Sequence, residues 1–299
     1  MNKQHPIEYI EASDPRFPPL LKHLSDPPKG LFVRGNLKDQ PAISMVGTRR
    51  CSSYGRRATV EIVSGIVANG LGVISGLALG IDGEAHKAAL DSGGYTIAVL
   101  ATGIDDDTIY PREHLRLAHR ILENGGALVS EYPPMSPSFK YAFPKRNRII
   151  AGFTPATIVV EATPDSGSLI TARLALEENR EVLAVPGPIF SETSIGCHEL
   201  IKLGAKPCTS AEDIMSVLKL DRPELMTAAR SHMPLTPDES VLLGELSQAR
   251  HIDELSAALS LQIGRLSGLL SFLELKGYVQ HEGGQIWRKK AFFAKTPIK

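Results

Sequence analysis

The chain has 299 residues, of which 42% are hydrophobic and 22% charged, and its 33 basic side chains balance 33 acidic ones. This is the composition of a soluble globular protein long enough for two domains. The neutral balance excludes a nucleic-acid affinity that comes from a global positive field, so any such affinity must come from a local patch.

The cysteines and the hydropathy pattern set the expected compartment. Cys51, Cys197 and Cys208 are scattered and form no Cys-x-x-Cys pair, which argues for a reducing compartment and against a structural zinc site or a disulfide framework. The N-terminus has no apolar h-region, and no run approaches the roughly 18 apolar residues of a membrane span. We therefore expect a cytoplasmic protein without a membrane association, a metal or a cofactor.

Residues 1–40 are rich in proline and predict an irregular N-terminal extension packed on the domain that follows. Within it we expect a short helix near Pro19–Leu24 and a strand at Leu31–Arg34.

From residue 41 to residue 220 the pattern alternates between short apolar runs and segments of helical periodicity. The predicted strands are Ile43–Gly47, Gly72–Ser75, Tyr95–Leu100, Ala127–Ser130, Thr157–Glu161 and Val182–Val185. The predicted helices are Tyr54–Ala68, Asp82–Asp91, Glu113–Glu123, Asn147–Gly152, Leu169–Glu178 and Cys197–Leu203. This α/β alternation predicts a Rossmann-like, doubly wound parallel sheet with its ligand at the carboxyl ends of the strands.

The last third of the chain predicts a separate small domain. Residues 221–234, flanked by Pro223 and Pro234, indicate a linker, and residues 289–299 form a basic tail. Between them, residues 235–288 predict a winged-helix domain. Its helices are expected at Pro237–Ala249, Ile252–Leu259 and Gln262–Lys276, and its hairpin strands at Tyr278–His281 and Gln285–Arg288.

This small domain is acidic. Between Met233 and Trp287 there are seven acidic and three basic side chains, a net charge of −4. A winged helix that binds duplex DNA needs a positive face. We therefore expect the domain to mediate protein contacts or to support a dimer.

The segment Phe139–Arg148 stands out against the neutral background. It holds the cations Lys140, Lys145, Arg146 and Arg148 and three of the 17 aromatic residues, with no acid. Cations neutralise phosphates and aromatic faces stack on unpaired bases, a combination used by single-strand binding grooves. A solvated loop leading into a helix at Arg146 is the plainer interpretation of the same residues.

Three strand ends are followed by glycines, hydroxyls and a helix start, an arrangement that suits an anion. The residues concerned are Gly47, Thr48, Arg49 and Arg50, then Ser75, Gly76 and Gly80, and then Ser166, Gly167, Ser168 and Thr171. None of the turns has dinucleotide-fingerprint or P-loop spacing, and each alone is equally a structural turn. Together with the loop after Glu131, the three turns are expected to converge on one phosphate-binding pocket, with Lys140–Arg148 as its rim.

Other polar clusters are assigned no function. Asp105–Asp107 lacks the spacing of a calcium loop and predicts a solvated turn. Glu177 and Glu178 are expected on a solvated helix face.

Taken together, the motifs resemble the DprA/Smf family of DNA-processing proteins. The matching strings are Val46-Gly47-Thr48-Arg49, Ser75 through Asp82, Phe143 through Gly152, Ser166 through Ala172 and Val185-Pro186-Gly187. The resemblance implies an extended Rossmann fold that binds single-stranded DNA, loads RecA onto it and dimerises through that domain, without being an enzyme. Many members carry an N-terminal SAM-like domain, which we expect this chain to lack.

The resemblance also implies roles for single residues. Arg49 and Lys140 match phosphate-contacting cations, and Phe143 matches a base-contacting aromatic. Arg50, Lys145, Asn147, Arg146 and Arg148 are further candidates for DNA contact. For Arg146 and Arg148 the alternative is that they brace the pocket through a carboxylate such as Glu161 or Asp82.

Two classes of function follow from these observations. The leading one is a non-enzymatic mediator that protects incoming single-stranded DNA in natural transformation and homologous recombination. The runner-up is a nucleotide-hydrolysing enzyme of the phosphoribohydrolase type. Such enzymes place a catalytic glutamate after a Pro-Gly-Gly-x-Gly-Thr turn, whereas here Glu177 and Glu178 lie too far along the helix.

Overall fold

The computed structural model of the chain describes residues 5–218 and 236–289, apart from positions 247, 260, 276 and 277. The chain divides into two compact units, residues 1–220 and 221–299. The predicted linker lies outside the described residues, as does the basic tail from residue 290 onward. The exact domain boundaries therefore stay predictions.

A nine-stranded sheet forms the centre of the larger unit. Its strands are β1 Ile7–Glu11, β2 Gly30–Gly35, β3 Ala42–Val46, β4 Gly72–Ser75, β5 Thr96–Val99, β6 Ala127–Ser130, β7 Ala156–Val159, β8 Glu181–Ala184 and β9 Lys206–Pro207. They lie in the order β1-β2-β6-β5-β4-β3-β7-β8-β9, parallel from β6 to β9, with β1 and β2 antiparallel. The predicted α/β fold is confirmed, and the strand order reverses direction between β3 and β7.

Among the described residues of this unit, seven α-helices accompany the sheet. They are α1 Ser53–Ala68, α2 Ile81–Asp91, α3 Leu115–Glu123, α4 Ala142–Phe153, α5 Gly167–Glu177, α6 Ile195–Lys202 and α7 Ala211–Val217. Short 3-10 turns lie at Pro19–His23, Arg112–His114 and Glu192–Ser194.

The apolar runs of the sequence correspond to strands that are buried in the sheet. Every residue of β3 is buried. Its side chains alternate between two clusters, with Ala42 and Val46 in one and Ile43 and Met45 in the other. Since a buried aliphatic side chain contributes roughly 1.5–3 kcal/mol, a strand covered on both faces is mostly apolar. The one polar residue of β3, Ser44, donates to Ile150 O at 2.6 Å.

The N-terminal extension is more regular than predicted. β1 and β2 pair antiparallel, and β2 pairs with β6 in a register that places Phe32 opposite Ser130. The extension therefore continues the sheet instead of only packing on it. β1 was missed because Ile10 is its only buried residue, so its burial does not alternate along the strand.

Helix α4, which contains most of the segment Phe139–Arg148, begins earlier than predicted. α4 begins at Ala142, five residues before the expected start at Asn147. Pro144 lies in the first turn, where a backbone N–H has no partner within the helix, so its missing N–H costs little. Phe143 and Arg146, three positions apart, consequently share one face of α4.

The smaller unit has the predicted order of helix, helix, helix and hairpin. Its elements are α8 Pro237–Glu245, β10 Arg250–His251, α9 Ile252–Leu259, α10 Ile263–Leu275, β11 Val279–Gly283 and β12 Ile286–Lys289. Leucines from all three helices, including Leu242, Leu255 and Leu270, form its core. β10 was not predicted and joins the hairpin in a three-stranded sheet.

Across the described part of the chain, no helix combines the length and the apolarity needed to cross a membrane.

A buried histidine couples the folding of the larger unit to pH. His86 on α2 is fully buried, and its Nδ1 lies 2.7 Å from Thr96 Oγ1. Thr96 Oγ1 in turn donates to Val73 O at 2.7 Å, so His86 Nδ1 is the donor in the first contact. Burial, followed by the charges of His114 and Arg146, lowers the pKa of His86 to about 3.

We predict that the stability of the protein falls on acidification partly through His86. In the unfolded chain the imidazole binds a proton below its ordinary pKa of 6.5, whereas in the fold it resists protonation down to about 3. The free energy of unfolding should therefore fall with pH in this window, by about 1.4 kcal/mol per pH unit once the unfolded imidazole is protonated. In His86→Asn that contribution should vanish, as measured by urea denaturation between pH 6.5 and pH 4.5.

The matched control is His23→Asn, because His23 is exposed. Its stability should follow the wild-type pH dependence. An equally steep loss in His86→Asn would contradict the assignment.

Candidate nucleic-acid interface

A crevice lies where the strand order reverses, between the carboxyl ends of β3 and β7. Open α/β sheets bind their ligands at this point. The cavity encloses about 720 Å³. Eleven of the predicted site residues line it, namely Gly47, Thr48, Arg49, Arg50, Phe143, Arg146, Asn147, Ser166, Gly167, Ser168 and Thr171.

Glu161, just after β7, holds the turns on both sides of the crevice. Its buried carboxylate accepts hydrogen bonds from Ser52 N at 2.8 Å, from Ser52 Oγ at 2.6 Å and from Thr193 Oγ1 at 2.9 Å. Its backbone oxygen accepts from Thr48 N at 2.7 Å. The carboxylate therefore faces the protein interior and positions the turn after β3 against the turn after β8.

The helix start at α5 presents backbone donors to the crevice. Ser166 Oγ accepts from Ser168 N at 3.4 Å and lies 2.7 Å from Ser168 Oγ. Apart from its chain neighbours and the backbone of α5, no atom of the described residues lies within 4 Å of a Cβ built on Gly167, so the first turn of α5 faces open space. The positive end of a helix with free N–H groups attracts an anion such as a phosphate.

A cation and an aromatic ring form one wall. The guanidinium of Arg49 lies 5.4 Å from the centroid of the Phe143 ring, and Arg49 is exposed. Phe143 is half-buried and makes an edge contact with Tyr110, with ring centroids 5.8 Å apart. This wall can offer a phosphate a charge and a base an apolar face at neighbouring positions.

Arg146 is buried behind that wall and ties α4 to the sheet. It is 7% exposed and donates from Nη1 to Gly76 O at 2.7 Å and to Val99 O. Burial lowers its pKa to about 10, against the attraction of Asp82. Arg146 therefore braces the ends of β4 and β5, mainly through carbonyl oxygens.

Asp82 is the carboxylate that accompanies Arg146. Burial raises its pKa, and the charge of Arg146 opposes that change. Its Oδ2 accepts from Gly76 N at 3.0 Å, so Asp82 and Arg146 bind the same peptide turn from two directions. A Cβ on Gly76 would lie 2.8 Å from the guanidinium, which explains the glycine.

Arg148 braces a different part of the fold. Its Nη2 lies 2.5 Å from Glu131 Oε1, its Nε lies 3.2 Å from Asp26 Oδ2, and Nη1 donates to Asp26 O. The partners are thus neither Glu161 nor Asp82, and Arg148 is not among the residues that line the crevice. It connects α4 to the loop after β6 and to the N-terminal segment.

Other predicted residues lie beside the crevice or beneath it. Lys140 and Lys145 are exposed near the start of α4 and do not line the cavity. Ser75 is fully buried and donates to Met45 O at 2.6 Å. Gly80 has φ +76°, and a Cβ there would lie 2.2 Å from Thr48 O, so it allows two turns to meet. Ser75, Gly76 and Gly80 thus shape the crevice without lining it.

Several lining residues were not predicted. Thr163 and Asp165 lie in the loop before α5, and Glu192 and Thr193 lie in the 3-10 turn before α6. For Glu192 and Thr193 the available signal is Val185-Pro186-Gly187, a further strand end followed by a turn.

We predict that Glu161→Gln destabilises the larger unit by about 1–3 kcal/mol. An amide offers one acceptor oxygen where Glu161 accepts from two side-chain hydroxyls and one backbone N–H, so a donor would face a donor. Urea denaturation measures the loss. Glu123→Gln, at an exposed position on α3, is the control and should change stability by less than about 0.5 kcal/mol. Similar losses in both variants would contradict the role of Glu161.

Two family models match the chain. One described as DNA recombination-mediator protein A matches residues 8–219, and one described as DprA winged helix domain matches residues 226–285.

Several proteins are similar in sequence. Protein Smf of Escherichia coli (strain K12) is 47% identical over 219 residues, which cover 72% of this chain and 58% of the relative. DNA processing protein DprA of Streptococcus pneumoniae is 45% identical over 205 residues, covering 68% and 71%. Protein Smf of Synechocystis is 34% identical over 328 residues, covering 97% and 82%. The chain thus spans little more than half the length of the Escherichia coli relative.

Two solved structures are also similar. DprA from Streptococcus pneumoniae has a TM-score of 0.66 and 43% identity, covering 70% of this chain and 74% of the other. DprA from Helicobacter pylori, described for its single-stranded DNA binding mode, has a TM-score of 0.64 and 29% identity, covering 73% and 99%.

Proposed function

Because the chain belongs to the DNA recombination-mediator protein A family, the DprA/Smf family of the sequence resemblance, we propose that it binds single-stranded DNA in the crevice between β3 and β7. The observation that carries this proposal is the wall on which the Arg49 guanidinium lies over the Phe143 ring, beside the open start of α5. A DprA relative whose single-stranded DNA binding mode has been described supports the same ligand.

The phosphates are held by two kinds of positive charge. Arg49 and Arg50 are exposed cations on the crevice wall, and the N-terminal N–H groups of α5 add a fixed dipole. Lys140 and Lys145 lie at the start of α4 and extend the positive surface beyond the cavity. None of these contacts reads a base, so binding is independent of sequence.

The bases are held by stacking. Phe143 presents its ring to the crevice, and stacking of one base on an aromatic side chain contributes about 1–3 kcal/mol whatever the base. Duplex DNA keeps its bases inside the stack, so the ring favours single strands. Arg146 and Glu161 act indirectly, as positioning residues that keep α4 and the crevice turns in place.

We further propose a cytoplasmic mediator that protects incoming single-stranded DNA in natural transformation and recombination and loads RecA onto it, as a homodimer through the larger unit. The family model's description as a recombination mediator supports the role. β9 forms an edge of the sheet, and Leu203 just before it is 81% exposed. An exposed apolar side chain beside an open strand edge suits a subunit interface.

The smaller unit suits protein contacts better than duplex DNA. On α10, which would be the recognition helix, Arg265 lies 2.6 Å from Asp238. Arg250 on β10 lies 2.6 Å from Glu245. These cations are already paired with carboxylates of the same unit, which lowers their value for phosphate binding.

The enzyme hypothesis has less support. It needs a glutamate soon after the turn at Ser166, but Glu177 and Glu178 lie at the other end of α5. Glu178, expected on a solvated face, instead accepts from Ser25 N at 3.0 Å and from Ser25 Oγ. Incubation with nucleoside monophosphates and chromatography for released base tests for hydrolysis directly; we expect none.

We predict that Lys140→Ala weakens binding to all single-stranded sequences about equally. The plot of log affinity against log salt should become shallower by about 0.7, the value for one lost phosphate contact. Fluorescence anisotropy with labelled oligonucleotides at four salt concentrations measures both quantities.

The control for this variant is Arg120→Ala. Arg120 is a half-exposed cation near the end of α3, paired with Asp91 at the end of α2, and it does not line the crevice. The substitution Arg120→Ala also removes one positive charge, and it should change neither the single-strand affinity nor the salt slope. An unchanged slope in Lys140→Ala would remove Lys140 from the site.

We predict that deletion of residues 235–299 leaves single-strand affinity within about threefold, because the crevice belongs wholly to the larger unit. Duplex affinity should change equally little. Loss of duplex affinity with retention of single-strand affinity would show that the smaller unit binds duplex DNA after all.

A further inference from the structure

Beside the crevice, Leu79, Tyr110 and Phe143 form an apolar ledge. Leu79 is 40% exposed and Tyr110 is 45% exposed. The three side chains line a depression of about 30 Å³ together with Arg49. Because Arg49, Phe143 and Arg146 line both the depression and the crevice, the ledge is continuous with the proposed phosphate site.

The loop that carries Tyr110 is held in place by the neighbouring loop. Gly103 N donates to Ser136 O at 2.9 Å, and Met135 N donates to Asp105 Oδ2 at 2.7 Å. Thr108 Oγ1 also donates to this carboxylate, at 2.8 Å. The turn at Asp105–Asp107, which the sequence predicted to be solvated, therefore links the loops after β5 and β6 through the hydrogen bonds of Asp105. Because this loop is already held by hydrogen bonds, little conformational entropy is lost when a ligand binds to Tyr110.

The two rings of the ledge face different directions. Tyr110 and Phe143 are inclined by 65° with centroids 5.8 Å apart. Neighbouring bases in a duplex are parallel, so they cannot stack on two rings inclined in this way. An unpaired strand can rotate its backbone between two nucleotides and place one base on each ring.

We infer that Tyr110 forms a second base-stacking subsite, for an unpaired nucleobase next to the one on Phe143. This inference rests on the proposed function and extends it by one nucleotide toward the end of β5. The ligand is a base and not a peptide side chain, because the ledge lies beside Arg49 and opens into the crevice where the phosphates bind. Leu79 adds a further apolar side chain to the lining of the subsite.

The test compares Tyr110→Ala with Tyr110→Phe on two probes. One is an oligothymidylate, and the other is a strand of equal length in which the bases at successive positions are replaced by abasic sites. Tyr110→Ala should weaken oligothymidylate binding by about 5- to 150-fold, the range for one stacked base, with an unchanged salt slope. It should leave binding of the abasic strand within about twofold. Tyr110→Phe keeps the ring and should bind both probes as the wild type does.

Each other outcome has a defined meaning. An equal loss on both probes would show that Tyr110 only holds the loop, and would overturn the inference. Full oligothymidylate affinity in Tyr110→Ala, with Lys140→Ala still weakened, would overturn the inference and leave the proposed function standing. Failure of the wild type to bind oligothymidylate would overturn the proposed function itself.

Photocrosslinking gives a readout that does not depend on the variants. An oligonucleotide with 5-iodouracil crosslinks to aromatic side chains on which the base stacks, and mass spectrometry of the intact chain's digest locates the adducts. Adducts at both Tyr110 and Phe143 are expected. Adducts at Phe143 without any at Tyr110 would overturn the subsite.

Discussion

The binding face depends on one buried guanidinium. Arg146 reaches from α4 to the carbonyl oxygens at the ends of β4 and β5, beside the buried carboxylate of Asp82. Removing an arginine from water is costly unless its donors are satisfied, and here strand-end carbonyls and a nearby carboxylate compensate it. The same helix turn carries Phe143 into the crevice. The burial of one side chain thus fixes the position of a neighbour that faces the ligand.

Glu161 has the corresponding role on the other side of the crevice. A carboxylate that accepts three hydrogen bonds from two turns holds them in a single arrangement. With Arg146, which is 7% exposed, it sets the shape of the crevice through buried charged groups. The exposed groups, Arg49, Arg50 and the start of α5, can then meet a phosphate without first being ordered.

Much of this was predictable from the sequence because buried parallel strands are mostly apolar and are followed by turns that contain glycines and hydroxyls. The crevice turns at Gly47 and Ser166 were found in this way. The pattern could not show which hydroxyl faces inward, so Ser75 was placed in the pocket although it bonds to Met45 O. It could not show that Pro144 belongs to a first helical turn. Tyr110 was missed because a hydrogen-bonded pair of loops, distant in sequence, brings it to Phe143.

The position of Arg49 has a thermodynamic consequence. In the free protein its guanidinium already covers a face of the half-buried Phe143 ring. A base that stacks on that face replaces the cation, so little new apolar area leaves water when the strand binds. The heat capacity of association at this position should therefore change little, and temperature should affect affinity much less than salt does. In the proposed complex, binding at this ring is an exchange of stacking partners.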